Sequence, residues 1–141
     1  MKKYNWLSHC LYAVVLICYI AFGNNILIFL NEQRQTTYKM LPFLLGSMII
    51  FIVLGVLLGL DKLILEMRKE GNWRLNLPKV IFLGLPSLYF SIGVFITFIP
   101  IGFIQQTIGY PIRFFLTGNF ISVFQIILGY TICTSFIKIQ D

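Results

Sequence analysis

The side chains able to do chemistry are few and poorly spaced for it. His9, the sole histidine, stands beside Cys10, and Cys133 is expected at similar depth in a later segment. Together they offer at most three ligands where a closed zinc site takes four, and neither Cys-x-x-Cys nor His-x-x-x-His spacing is present. Cys10, Cys18 and Cys133 all lie in uncharged runs, and an odd count leaves no complete disulfide framework, so they read as small apolar residues. Asp61 is the acid nearest an apolar run, but Lys62 follows it directly, which describes a solvated or salt-bridged boundary residue. There is no Ser-His-Asp set, no intramembrane carboxylate pair, no His-Glu-x-x-His and no phosphate-binding glycine loop. The reading is therefore of a protein that is not an enzyme, with no cofactor and no metal.

Small and uncharged polar residues at helical spacing remain. Gly55 and Gly59 form a small-xxx-small pair; Gly84, Ser87 and Ser91 follow at i, i+3, i+7; Gly118, Ser122, Gln125 and Gly129 at i, i+4, i+7, i+11. Inside lipid there is no hydrophobic drive between helices, so such residues mark faces where neighbours approach closely. These three faces are expected to pack antiparallel neighbours. Ser91 and Gln125 each fall near the middle of an apolar run, which predicts a hydrogen bond between them worth about 0.6 to 2 kcal/mol. The same residues give an alternative: Ser87, Ser91, Asn119, Ser122 and Gln125 could line a polar path in a homo-oligomer. Pro86 and Pro100 each remove a helical hydrogen bond and predict a kinked third span, and broken helices also occur at transporter binding sites.

The elements that must position these residues follow from composition. The chain has 141 residues, 58% hydrophobic, with 11 basic and 5 acidic side chains. Counted on the same residue set as soluble domains, its apolar share stands well above their roughly 45 to 50%. The charges cluster so as to leave uncharged runs at 6–30, 40–60, 80–112 and 114–137. A spanning helix needs about 20 largely apolar residues, and 33 residues cannot hold two spans and a turn. The expected fold is an all-α integral membrane protein, a single membrane domain over 1–141. Its four transmembrane helices, at 6–30, 41–60, 80–103 and 114–137, form an up-down bundle. Residues 31–39 and 105–112 read as loops. Lys2 and Lys3 before a long apolar stretch with no cleavage site read as an uncleaved signal anchor.

The most polar piece is the loop 61–79, with Lys62, Arg68, Lys69, Arg74 and Lys79 against Asp61, Glu66 and Glu70. Its first part, 61–69, reads as a continuation of the second helix along the headgroups, ended by Gly71 and Asn72, and Trp73 suits an interface anchor. Lys2, Lys3, these five and Lys138 fall on one side, against Arg34, Lys39 and Arg113 on the other. The positive-inside rule makes the richer side, with both termini, cytoplasmic. The net charge of +6 thus serves topology and not nucleic acid, for which a basic stripe on a water-exposed fold is required. Twenty-two Ile and 14 Phe against 2 Ala suit the codon bias of a low-GC bacterium, hence a bacterial cell membrane.

Small four-span exporters of the multidrug-resistance type carry a membrane-embedded Glu in their first helix, and residues 6–30 hold no acid; holins usually end in a charged tail, and only Lys138 and Asp141 follow residue 137 with charge. The expected partners are the lipid bilayer and either a membrane protein or a second copy of the chain. The expected role is that of an accessory, regulatory or protective, immunity-like protein acting through helix contacts and its basic loop. The rival is a small transporter or channel for a neutral or weakly polar solute.

Overall fold

Length and capping set the first helix. In the computed structural model, which describes residues 6–98, 102–117 and 120–139, helix α1 covers Trp6–Thr37 and α2 covers Leu41–Met67. The polar stretch from Asn31 does not open a loop. Glu32, Gln33, Arg34 and Gln35 are good helix formers, and the hydroxyls of Thr36 and Thr37 donate to the carbonyls of Glu32 and Gln33, so α1 runs to 32 residues. At 1.5 Å per residue that is about 48 Å, long enough to emerge from a hydrocarbon layer of about 30 Å. Tyr38, with φ 54°, takes the left-handed position that closes the helix, and its N–H donates to Arg34 O at 2.9 Å. The connection to α2 is three residues long.

Helix α2 continues past Asp61 and Lys62 to Met67. Gly71, at φ 132°, supplies a backbone conformation that favours glycine. Strand β1 then covers Asn72–Leu75, inside the expected loop, and pairs antiparallel with β2, Phe136–Ile139, in the register Asn72↔Ile139 to Leu75↔Phe136. The fold is thus mostly helical (83%) but not all-α. Phe136, Ile137 and Ile139 are strand-prone residues, and they end the last helix three residues before the expected 137.

The third span is Leu77–Ile96, here α3. Asn76 caps it, its side chain accepting from Lys79 N at 3.3 Å, with Pro78 in the first turn. Pro86 does not break it. Residues Val80–Gly84 widen into a π-helical turn, with Leu85 N–H donating to Val80 O, and this i to i−5 spacing carries the chain past a residue that has no N–H to give. The helix ends at Ile96, short of 103: Thr97 N–H and Oγ both donate to Val94 O, tightening the turn. Pro100 lies outside the described residues.

The expected loop 105–112 is helical, in α4 (Gly102–Thr107) and α5 (Gly109–Thr117), Pro111 being tolerated in the first turn of α5. The last helix, α6, is Ile121–Thr134. The fourth span is therefore not one unbroken helix over 114–137; Gly118 and Asn119, poor helix formers, lie between α5 and α6 and outside the described residues. Among the described residues, three helices are long and apolar enough to cross a membrane, or four if α5 and α6 count as one bent span. This is a membrane protein.

The chain divides into two packed units, Met1–Ile50 and Phe51–Asp141. In the first, Gly23 is the buried residue of α1, and Tyr19 Oη donates to Ile50 O at 2.8 Å. In the second, Val94, Ile112, Ile121, Leu128 and Cys133 are buried. Phe90 stacks on Phe124 at 4.4 Å and meets Phe115 edge-on at 4.9 Å, joining α3, α5 and α6.

Candidate functional site

The small residues of α2 and α6 meet backbone to backbone. A Cβ on Gly55 would fall on the carbonyl of Ile126 and within 2.9 Å of Tyr130 N, and a Cβ on Gly129 would fall on the carbonyl of Ile52 and within 2.9 Å of Val56 N. Each glycine thus turns a Cα–H toward the facing helix's carbonyl, a reciprocal contact that only glycine permits. Gly59 continues the seam: a Cβ there would lie 2.8 Å from Cys133 Cβ and 3.2 Å from Thr134 Cγ2. Residue numbers rise together along α2 and α6, so this pair packs parallel, whereas α3 and α6, which meet at Gly84 with Thr131 and at Phe90 with Phe124, run antiparallel as expected. The expectation failed for α2 alone, which packs on the last helix instead of a sequence neighbour.

Ser87, Ser91 and Gln125 are all buried, and Ser122 is half-buried. Gly118 lies outside the described residues. The predicted Ser91 to Gln125 hydrogen bond is absent. Ser91 Oγ donates instead to Ser87 O at 2.6 Å, and Ser87 Oγ to Leu83 O at 2.6 Å and Gly84 O at 3.0 Å. Thr131 Oγ1 and Thr134 Oγ1 likewise donate to Ile127 O and Tyr130 O, each at 2.7 Å. A hydroxyl on a helix finds its own carbonyl one turn back without any cost of ordering a neighbour, and this local bond won. The side-chain amide of Gln125 makes no hydrogen bond to another described residue.

The basic loop is not free. Lys79 reaches across to α6, its Nζ donating to Thr134 Oγ1 and, at 3.4 Å, to Thr134 O, while lying 4.9 Å from the Tyr130 ring centroid. Lys69 pairs with Glu66, whose other carboxylate oxygen accepts from Lys138 N at 3.2 Å. Lys138 Nζ donates to Met67 O at 3.1 Å and Lys69 O at 2.8 Å, placing a cation on the open carbonyls at the C-terminus of α2. The same ammonium lies 5.1 Å from the Trp73 ring centroid, its partner across the ribbon. Asn76 N donates to Ser135 O at 2.8 Å, carrying the tie from ribbon to helix. Glu66 stands beyond the apolar part of α2, which closes at Leu60. The hydrogen bond from Lys69, then that from the Lys138 backbone, hold its carboxyl below the usual carboxylate range.

Sequence reasoning did not single out Glu66 or Lys138 as partners. The signal was present only as one of three acids among five bases and a short apolar tail with a single Lys, 72 residues away. Lys62, Arg68 and Arg74 stay exposed around the tied ribbon, together with Leu65, Met67, Trp73, Leu75 and Leu77. What this end offers is a fixed, cationic and partly apolar surface. Cys133 is buried against Gly59, while Cys10 and Cys18 are exposed. Among the described residues no three His, Cys, Asp or Glu side chains gather to hold a metal ion. No family model, curated protein or solved structure matches this chain.

Proposed function

We propose that this protein is a noncatalytic component of a bacterial cell membrane that works by binding a partner membrane protein, in an accessory, regulatory or protective role. The basic end, on the cytoplasmic side by the charge count, is the surface it presents. The observation that carries this reading is that the loop 61–79 is held in one conformation by Glu66, Lys79 and Lys138 while Lys62 and Arg68 point outward. A preformed cationic surface binds without an ordering cost, and it meets acidic groups on a protein or on lipid headgroups. The packed interior supports the same reading, since the hydroxyls of Ser87 and Ser91 are taken up by their own helices and the Gly55 to Gly129 seam is closed.

The test is to purify the tagged protein from its native membrane in mild detergent and determine the composition of the complex. A stoichiometric second protein, released by Lys62→Glu with Arg68→Glu, is the expected result. A pure homo-oligomer unaffected by those changes would sink the proposal.

One observation favours the rival reading of a small transporter or channel. Gln125 is a polar side chain buried among apolar ones, the kind of group that a neutral polar solute could engage. Water-soluble thiol reagents reaching Gln125→Cys and Ser91→Cys would support that path, and silence at both would support packing.

A further inference from the structure

Asn24 and Asn25 stand inside the apolar run of α1, about one turn or more below its end at Leu30, and both are exposed. Neither side-chain amide makes a hydrogen bond to another described residue. Lipid tails cannot supply one, so two adjacent unsatisfied amides in hydrocarbon call for a protein partner. The face around Asn25 has a definite pattern: Leu11, Val14, Cys18, Ala21, Asn25 and Ile28 alternate at steps of three and four, the seam of two packed helices, and all six are exposed. The residues of α1 that are covered, among them Tyr12, Leu16, Tyr19, Gly23, Ile26, Leu27 and Leu30, lie on a nearly opposite face. Tyr19 and Gly23 are turned to Ile50. The Leu11 to Ile28 face is therefore unpartnered.

We propose that this face binds the same face of a second copy of the chain, with Asn25 at the centre of the seam and Asn24 at its edge hydrogen-bonding across it. Self-pairing follows from the chemistry of the group. An amide is at once donor and acceptor, so two copies related by a two-fold axis along the membrane normal satisfy each other at equal depth. An acid or base on this face would have called for an unlike partner, and residues 6–30 have neither acid, Lys nor Arg. Cys18 and Ala21 beside Asn25 are small enough to let the two backbones come close. A single Asn at such a seam also fixes register, because any slip leaves both amides unpaired. The dimer face is distinct from the basic end and does not rest on the partner reading above.

Cys18 lies seven residues, about 10 Å, from Asn25 on the same face and makes the test direct. In native membranes, with Cys10→Ser and Cys133→Ser in place, mild oxidation is expected to yield a disulfide-linked dimer through Cys18. A Leu16→Cys, Cys18→Ser chain, whose thiol sits on the covered face, should give none. Asn24→Leu with Asn25→Leu, changes that leave a lipid-facing helix intact, should lower the dimer's association constant about tenfold, read by energy transfer between labelled copies diluted in liposomes. Monomers throughout, equal cross-linking at positions 16 and 18, or undiminished association of the Asn variant would each overturn the proposal.

Discussion

Residues 6–50 and residues 51–139 draw on the same apolar alphabet but use it differently. In the first unit, contact is made by side-chain ends: a Cβ on Gly23 would meet Ile50 Cγ2 at 3.0 Å, and one on Gly46 would meet the tip of Leu30. In the second, glycines bring backbones together, and the Gly55 to Gly129 contact is reciprocal. The difference shows what apolarity cannot do in a bilayer. Leucine and isoleucine are as content with lipid as with each other, so the arrangement of helices is decided by the few residues that are small or polar. Residues 51–139 hold most of them, and there a packed interior forms.

The strongest way to break that comparison is at its crossing point. Gly55→Val or Gly129→Val places a side chain on a facing carbonyl that has no room to move, and should cost about 3 kcal/mol or more, read as lost resistance to unfolding in a detergent titration. Gly23→Val should cost less, because its Cβ meets a single side-chain methyl, Ile50 Cγ2, at 3.0 Å, which must give by only a few tenths of an ångström, and not a backbone carbonyl. Equal losses at positions 23 and 55 would erase the distinction between the two units.

Polar ties at the end of the second unit come next. Glu66→Gln should loosen the ribbon, seen as faster amide exchange over 136–139, while the Gly55 seam keeps the helices packed. Acid should mimic it. The folded carboxyl is held below its ordinary value, so its contribution to stability is complete above the unfolded value and is lost as pH falls through the folded one. Ribbon protection is expected to decline on acidification in wild type and to stay flat in Glu66→Gln. A flat wild-type profile would mean that the ribbon stands without this carboxylate.

These contrasts also mark how far the sequence could be read. The long apolar runs announced α1, α2 and most of α3, because a 20-residue hydrophobic stretch has few other fates. The glycines at 55, 59 and 129 were visible as contact formers, but which helix each would meet was not, since spacing gives a face and not a partner. The ribbon was invisible: four residues on each side, 60 or more positions apart, carry no periodicity strong enough to show. Pro86 was visible as a disturbance, while its resolution into a π turn depended on Leu85 reaching Val80. Hydroxyls misled, because a serine can bond its own helix as readily as a neighbour.

Within the first unit, Tyr19→Phe removes the hydrogen bond to Ile50 O, a tie of 2.8 Å between two helices that otherwise touch through side-chain ends. The expected cost is about 0.6 to 1.7 kcal/mol, the measured range for such bonds in a membrane protein. It should appear as weaker association of α1 with the start of α2 and leave 51–139 unchanged. A change that spread to the Gly55 seam would show that the two units unfold together.

The smallest effect belongs to Ser91→Ala, and it bears on the rival functions. Ser91 is fully buried, which by itself would suggest a large loss. Its hydroxyl, however, donates to Ser87 O, a carbonyl that the helix already engages through the N–H of residue 91, so alanine leaves no buried group unsatisfied and removes little volume. The change should stay within about 0.5 kcal/mol in a detergent titration. A loss of about 2 kcal/mol would instead place Ser91 in a bond to Gln125 and restore the partner that spacing alone predicted. A stability-neutral loss of function would be a third result, since a hydroxyl that matters to activity but not to packing lies on a solute's path, and the carrier reading would then displace the partner one.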